Sequence, residues 1–135
     1  MSFIDNAEIQ TALISELKSI TAITSRLGAV DDVKEDTWQG SPFKYPNVRV
    51  RIIDNVPIGN TGCLHRVRVG IQVNSEEQSS KEAEEISGII GNRLNDACFS
   101  QSGVNIILRL TNLIPALRTD PTTWKSETLY TAIVS

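Results

Sequence analysis

Few residues of this 135-residue chain could perform acid-base chemistry. The single histidine, His65, has the inward parity of an alternating strand close to a hairpin turn, which is typical of a buried structural residue. No serine stands in a GxSxG sequence, and a catalytic triad also needs an imidazole held by a carboxylate. We therefore expect no catalytic residues and no enzyme. The alternative, a small hydrolase or ligand-binding α+β domain, would have to use His65 with a carboxylate.

Metal and cofactor sites are also not indicated. Cys63 and Cys98 have neither a CxxC spacing nor a histidine in register for zinc, so we expect two reduced, partly buried thiols. The chain has no GxxxxGK[ST] sequence and no GxGxxG sequence after a strand, so the sequence indicates no phosphate-binding loop. The sequence predicts that the protein binds no metal and no cofactor.

The composition is that of an ordinary globular protein. Hydrophobic residues make up 40% and charged residues 21%, which fits one domain spanning residues 1–135. A net charge of −3 gives little general attraction for nucleic acid. No segment approaches the roughly 18 continuous apolar residues of a membrane span, and residues 1–6 lack the order of a secretory signal. We expect a protein made in a cytoplasm, with no membrane partner, whose function depends on its surfaces.

Hydrophobic periodicity and turn residues predict the secondary structure. Capping boxes of Asp5 with Glu8 and of Ser79 with Glu82 mark the starts of two helices. The predicted elements are a helix over 6–20, a short turn over 21–27, a loop over 29–46, a strand over 47–53, a hairpin turn over 55–62, a strand over 63–74, a helix over 80–97, a strand over 104–110, a loop over 111–123 and a strand over 124–134.

This order, α-β-β-α-β-β, predicts an α+β fold. We expect one four-stranded, mostly antiparallel sheet with both helices packed on its apolar face. The other face should be exposed to solvent. Arginines at outward positions make this face polar: Arg49, Arg51, Arg66, Arg68 and Arg109.

The charge pattern favours a self-assembling protein. Acidic residues gather around the start of the second helix: Glu76, Glu77, Glu82, Glu84 and Glu85. A basic patch and an acidic patch on different faces suit a head-to-tail contact, which closes into a ring if the rotation per subunit is right. Simple solvation of both patches is the alternative, because exposed ion pairs contribute only about 0 to 1 kcal/mol each.

The candidate interface residues come from these patches and from two long loops. The patches contribute Arg49, Arg51, Arg66, Arg68, Glu82 and Glu85. The loops over 29–46 and 54–62 are longer than the fold requires, and loops of this kind are often functional. They contribute Trp38 and Pro57 as candidate contact residues.

The layout resembles that of the tail terminator, or tail-to-head joining, proteins of long-tailed bacteriophages. The resemblance rests on an N-terminal amphipathic helix, a long loop ending in Lys44-Tyr45-Pro46-Asn47-Val48, and a strand closing in Gly70-Ile71-Gln72-Val73-Asn74-Ser75. It continues in a helix from Lys81-Glu82-Ala83 to Asn92-Arg93-Leu94, and in Asp120-Pro121 followed by Trp124 and a strand rich in Thr and Tyr. The resemblance covers most of the chain. It is a pattern of residue types, so it assigns no binding residue of that family to a position in this sequence.

Membership of that family would imply a non-enzymatic virion protein. Its subunits would form a hexameric ring at the head-proximal end of the tail, stop growth of the tail tube and join the tail to the neck. The implied partners are other copies of the chain, the tail tube protein and a neck or head-completion protein, with DNA only passing through the lumen. The nearest alternative is another neck component, such as a head-completion or stopper ring.

Overall fold

The computed structural model describes residues 4–27, 32–36, 45–58 and 64–135. Within these ranges the chain forms three helices and six strands. They are α1 (Asn6–Ser19), α2 (Thr21–Thr24), β1 (Val33–Glu35), β2 (Asn47–Ile58), β3 (Leu64–Ser75), α3 (Lys81–Leu94), β4 (Cys98–Gln101), β5 (Val104–Asp120) and β6 (Thr123–Val134). The α+β class predicted from the sequence is confirmed, and the short turn expected after the first helix is α2.

All six strands belong to one sheet, in the order β1-β2-β3-β6-β5-β4. Every neighbouring pair is antiparallel except β1 with β2. The prediction of four strands was wrong, because β1 lies inside the expected loop over 29–46 and β4 directly follows the last helical segment. Both are edge strands of three and four residues, too short for an alternating pattern to show in the sequence.

The prediction of a loop over 111–123 was also wrong. β5 continues to Asp120 and β6 starts at Thr123, so the two strands form one long hairpin. Their register shifts between Leu110 and Asn112, between Ile114 and Leu117, and again near Asp120. Such bulges accommodate Pro115, which cannot donate a ladder hydrogen bond, and they interrupt the alternation that would have marked a strand.

The first helix begins as predicted. The Asp5 carboxylate accepts a hydrogen bond from the Glu8 amide at 2.8 Å, which satisfies one of the otherwise unpaired N–H groups of the first turn. One face of α1 is buried through Ile9, Leu13 and Leu17. Among the described residues, no helix is long and apolar enough to cross a membrane.

The capping box predicted for α3 does not form. Ser80 is the N-cap residue and makes no capping side-chain hydrogen bond. Glu82 instead accepts a hydrogen bond from the Ser75 hydroxyl at 2.8 Å. This contact ties the first turn of α3 to the end of β3, because the short connection brings the two side chains together.

The core lies between the helices and one face of the sheet. The inward positions predicted by alternation are confirmed, and side chains from β2, β3, β5 and β6 are buried there together with the apolar faces of α1 and α3. The largest members of this cluster are Ile9, Leu13, Leu17, Ile71, Ile86, Ile90, Leu94, Ile106, Leu108 and Tyr130. The described helices pack on this face, which leaves the opposite face, here called the open face, without a helical cover.

Candidate functional site

The open face is the surface on which the predicted arginines lie. Strand pairing sets Arg49 opposite Gln72 and Arg51 opposite Gly70. Beyond a register shift in β2 at Ile53, Asp54 pairs with Arg68 and Val56 pairs with Arg66. Arg109 lies one strand farther on, paired with Thr131, which itself pairs with Arg68. The predicted outward parity of the five arginines is therefore confirmed.

At the centre of the open face, Arg51 and Glu127 form a bidentate ion pair. Arg51 Nε donates to Glu127 Oε2 at 2.7 Å and Arg51 Nη2 donates to Oε1 at 2.9 Å. The amide of Gln72 also donates to Oε2, at 3.3 Å. The Glu127 side chain is only 9% exposed, whereas the Arg51 side chain is 40% exposed. The hydrogen bond and the negative charge of Glu127 raise the pKa of Arg51, although burial opposes this.

Gly70 makes this pairing possible. It lies between Arg51 on β2 and Leu129 on β6, and the space that a Cβ would need is already taken by Glu127 Oε2 and Arg51 Nε. Gly70, Gln72 and Glu127 were not predicted as parts of this cluster. The outward parity of Glu127 in the last strand was visible, but which strand it faces depends on the sheet order.

Two other predicted arginines are also engaged within the subunit. Arg68 Nε donates to Asp54 Oδ2 at 2.8 Å, in an exposed ion pair. Arg49 Nη1 donates to the carbonyl oxygen of Asp36 at 2.9 Å. In contrast, the side chains of Arg66 and Arg109 are exposed and form no hydrogen bond or ion pair in the part of the chain that the structure describes. These two cations are the ones left for a partner.

The acidic candidates have internal partners as well. Glu85 pairs with Arg26 at 2.6 Å and lies 3.9 Å from the Lys81 ammonium. Glu82 holds the Ser75 hydroxyl. Glu84 Oε1 accepts from the Ala116 amide at 3.0 Å and so ties α3 to the β5–β6 hairpin. Their carboxylates thus stabilise the subunit in addition to giving its surface negative charge.

The structure places the two loop candidates differently. Pro57 is an exposed residue of β2 and pairs with His65, so residues 54–58 of the expected loop are strand. Trp38 lies outside the described residues, as do 28–31 and 37–44, which make up most of the expected loop over 29–46.

His65 has the structural role that its parity indicated. It is 1% exposed, and its Nδ1 lies 2.7 Å from Asn55 Oδ1. Its Nε2 accepts from the Ile4 amide at 3.3 Å. Asn55 Nδ2 donates to the Ile4 carbonyl and to Asn6 Oδ1, so its Oδ1 faces the ring and Nδ1 carries the proton. Both ring nitrogens serve to hold the segment before α1.

The described residues contain no cluster of three or more His, Cys, Asp or Glu that could hold a metal ion. Cys98 is an exposed thiol at the sheet edge, and Cys63 lies outside the described ranges. What this part of the molecule presents is a charged and partly apolar sheet face, which is suited to contact with another macromolecule.

Comparison with known proteins gives a structural match. A chain in the virion of a native gene transfer agent particle superposes with a TM-score of 0.77, and the match covers 98% of each chain. The two chains share a fold. Their sequence identity is 16%, so the likeness is one of architecture.

A second solved structure, known by an identifier alone, gives a TM-score of 0.61 at 13% identity. That match covers 96% of this chain and 92% of the other. No protein-family profile matches the sequence, and no curated protein matches it either.

Proposed function

We propose that this protein is a structural, non-enzymatic subunit of a phage-like virion. The observation that carries the proposal is the fold shared over 98% of both chains with a component of a gene transfer agent virion. The open face, with its arginines and exposed aliphatic residues, supports a role in assembly.

Within the virion, we propose the role of tail terminator. Residues 1–135 would act as one domain, and copies of the chain, six in number, would form a ring on the head-proximal end of the tail tube. The ring would touch the tail tube protein on one side and a neck or head-completion protein on the other. DNA would meet it only when passing through the lumen. This finer assignment rests on the sequence resemblance described above.

The open face is the proposed contact surface between subunits. Arg66 has no internal partner among the described residues, while Arg49, Arg51 and Arg68 already have theirs. A contact through the open face would therefore depend most on Arg66 and on Arg109, whose side chain also has no partner among the described residues. Glu82 and Glu85 can contribute charge to a neighbour but must keep Ser75 and Arg26 as partners. Trp38, from the expected loop over 29–46, and Pro57, an exposed residue of β2, are proposed as further contacts.

Disabling the gene and imaging the resulting particles tests the proposal. Loss of a tail terminator should give tails of uncontrolled length that remain unattached to heads, because nothing stops growth of the tube. Loss of a head-completion or stopper ring should instead leave tails of normal length beside heads that leak DNA. Normal, infective particles assembled without the protein would refute a structural role in the virion.

A further inference from the structure

Apolar side chains remain uncovered at one end of the open face. Val56 and Leu64 are each 40% exposed, and Ile107 is 53% exposed. Strand pairing puts Val56 and Ile133 on either side of Arg66, with Ile107 beyond Ile133. These five residues are called the hairpin-end patch: Val56, Leu64, Arg66, Ile107 and Ile133. Aliphatic side chains around an arginine resemble the composition of protein interfaces.

A groove lies between α3 and the β5–β6 hairpin. Its volume is about 230 Å³, and its lining includes Glu84, Gly88, Leu113, Ile114 and Pro115. A Cβ on Gly88 would meet no atom within 4 Å, so the space beside this glycine is open. Leu113 is 59% exposed on its rim. This α3 groove could take an aliphatic side chain but is too small for a folded element.

The two surfaces carry opposite charge. In the hairpin-end patch, Arg66 has no partner among the described residues, and neither has Arg109 beside Ile107 on the same strand. The α3 groove has Glu84 in its wall. The Glu84 carboxylate accepts a hydrogen bond from the Ala116 amide, a neutral donor that leaves its negative charge in place. An arginine from one surface would therefore find a carboxylate on the other.

The positions of the two surfaces prevent them from meeting within one subunit. The hairpin-end patch lies near the pairing of His65 with Val134, whereas the α3 groove lies near the pairing of Val73 with Ser126, toward the other end of the same strands. Two surfaces this far apart on one subunit can pair only between separate copies. Such a contact is heterologous, and repetition of it closes into a ring when the rotation per subunit is right.

We propose that the hairpin-end patch of one copy seats in the α3 groove of a second copy. Leu64 or Ile107 would enter the space beside Gly88, and Arg66 would approach Glu84 in the wall of the groove. The proposal rests on the proposed function, because it names the contact through which the ring would form. It differs from the expected pairing of arginines with Glu82 and Glu85, which do not line the α3 groove.

Two substitutions test the contact from its two sides. Gly88→Leu fills the groove and places a good helix former at an exposed position of α3. Arg66→Glu reverses the charge of the patch. Gly88→Ala and Lys125→Ala are the matched controls. Self-association is measured by sedimentation velocity of the full chain, alone and with tail tubes, and thermal unfolding verifies that each variant is folded. We expect Gly88→Leu and Arg66→Glu each to weaken self-association by about 10-fold or more, and the controls to change it little.

Mixing the two variants gives the sharper result. Each variant keeps one intact half of the contact, so Gly88→Leu subunits offer a normal patch to the normal groove of Arg66→Glu subunits. An equal mixture should form pairs and stop there. Self-association of both variants at the level of the wild type would overturn this contact while leaving the ring itself intact. A wild-type chain that stays monomeric alone and on tail tubes would overturn the proposed function. Loss of tube binding with unchanged self-association would assign the patch to the tube protein and overturn self-docking.

Discussion

Arg51 and Glu127 meet across Gly70, joining β2 to β6 over the intervening strand β3. The carboxylate lies almost buried beneath the guanidinium and also accepts from Gln72. A bidentate arginine pair with a shielded carboxylate is stronger and more rigid than a single exposed contact. The pair therefore fixes the relative position of three strands at the centre of the open face.

Gly70→Ala should destabilise the subunit. The added Cβ would occupy space held by Glu127 Oε2 and Arg51 Nε, so the ion pair must shift or break. We expect a loss of about 1 to 3 kcal/mol in the free energy of unfolding, measured by urea denaturation. Gly88→Ala is the matched control, because its Cβ meets no atom within 4 Å. It should instead gain roughly 0.5 to 1 kcal/mol from helix propensity. Equal stability of Gly70→Ala and the wild type would show that the pair is not constrained as described.

Large-to-small substitutions in the helices should show that α1 and α3 cover one common core. Leu13 and Ile90 are at most 1% exposed and belong to the same apolar cluster. Leu13→Ala and Ile90→Ala should each reduce the free energy of unfolding by about 2 to 5 kcal/mol, since each leaves a cavity. Ile107→Ala, on the open face, should cost much less. A loss below ~1 kcal/mol at both helix positions would contradict this packing.

Tyr130 should make stability depend on alkaline pH. Burial raises the pKa of Tyr130 to about 12 from its ordinary value of 10.0, because the charged phenolate is poorly solvated in the core. The unfolded state therefore loses its proton first. The contribution to stability is complete below pH 10 and is lost as the pH rises toward 12, by about 2 kcal/mol.

Tyr130→Phe should remove this dependence. The buried Tyr130 hydroxyl lies near the Thr128 side chain but makes no hydrogen bond of standard geometry within the described residues, so its removal at neutral pH should change stability little. Chemical denaturation at several pH values between 7 and 12 measures both effects. Parallel pH profiles for the variant and the wild type would argue against titration of a buried Tyr130.

Asn55→Ala should release the segment that precedes α1. Asn55 donates to the Ile4 carbonyl and accepts from His65, whose other nitrogen accepts from the Ile4 amide. Without Asn55, two buried polar groups lose partners, at a cost of about 1 to 3 kcal/mol. The Ile4 amide should then exchange with deuterium faster, while amides in the middle of α3 keep their protection. Unchanged exchange at Ile4 would mean that the segment is held by other contacts.

The sequence was most informative where its periodicity was long and unbroken. β3 alternates over Val67, Val69, Ile71 and Val73, so its buried face could be predicted, together with the buried position of His65. The cap of α1 was also predictable, because Asp5 and Glu8 are close in sequence. The part of β5 over 111–120 could not be predicted, because its bulges and Pro115 remove the alternation of apolar and polar residues. The three- and four-residue edge strands carry too little pattern to be distinguished from loops.

The candidate surface was predictable in part. Parity placed Arg49, Arg51, Arg66 and Arg68 on one face, but it could not show which of them have partners. That depends on the register shift at Ile53, which brings Asp54 opposite Arg68, and on the adjacency of β3 and β6. Both are long-range properties of the sheet. The α3 groove likewise depends on a hairpin that the sequence had suggested was a loop.

Electron microscopy of the purified protein mixed with tail tubes tests the central claim most directly. We expect rings of about six subunits, seen as a cap on one end of each tube, the end that faces the head, with tube growth stopped there. Arg66→Glu protein, folded but impaired in self-association, should leave those ends bare. Tubes whose ends stay uncapped and continue to grow at saturating concentrations of the wild-type protein would contradict a tail terminator.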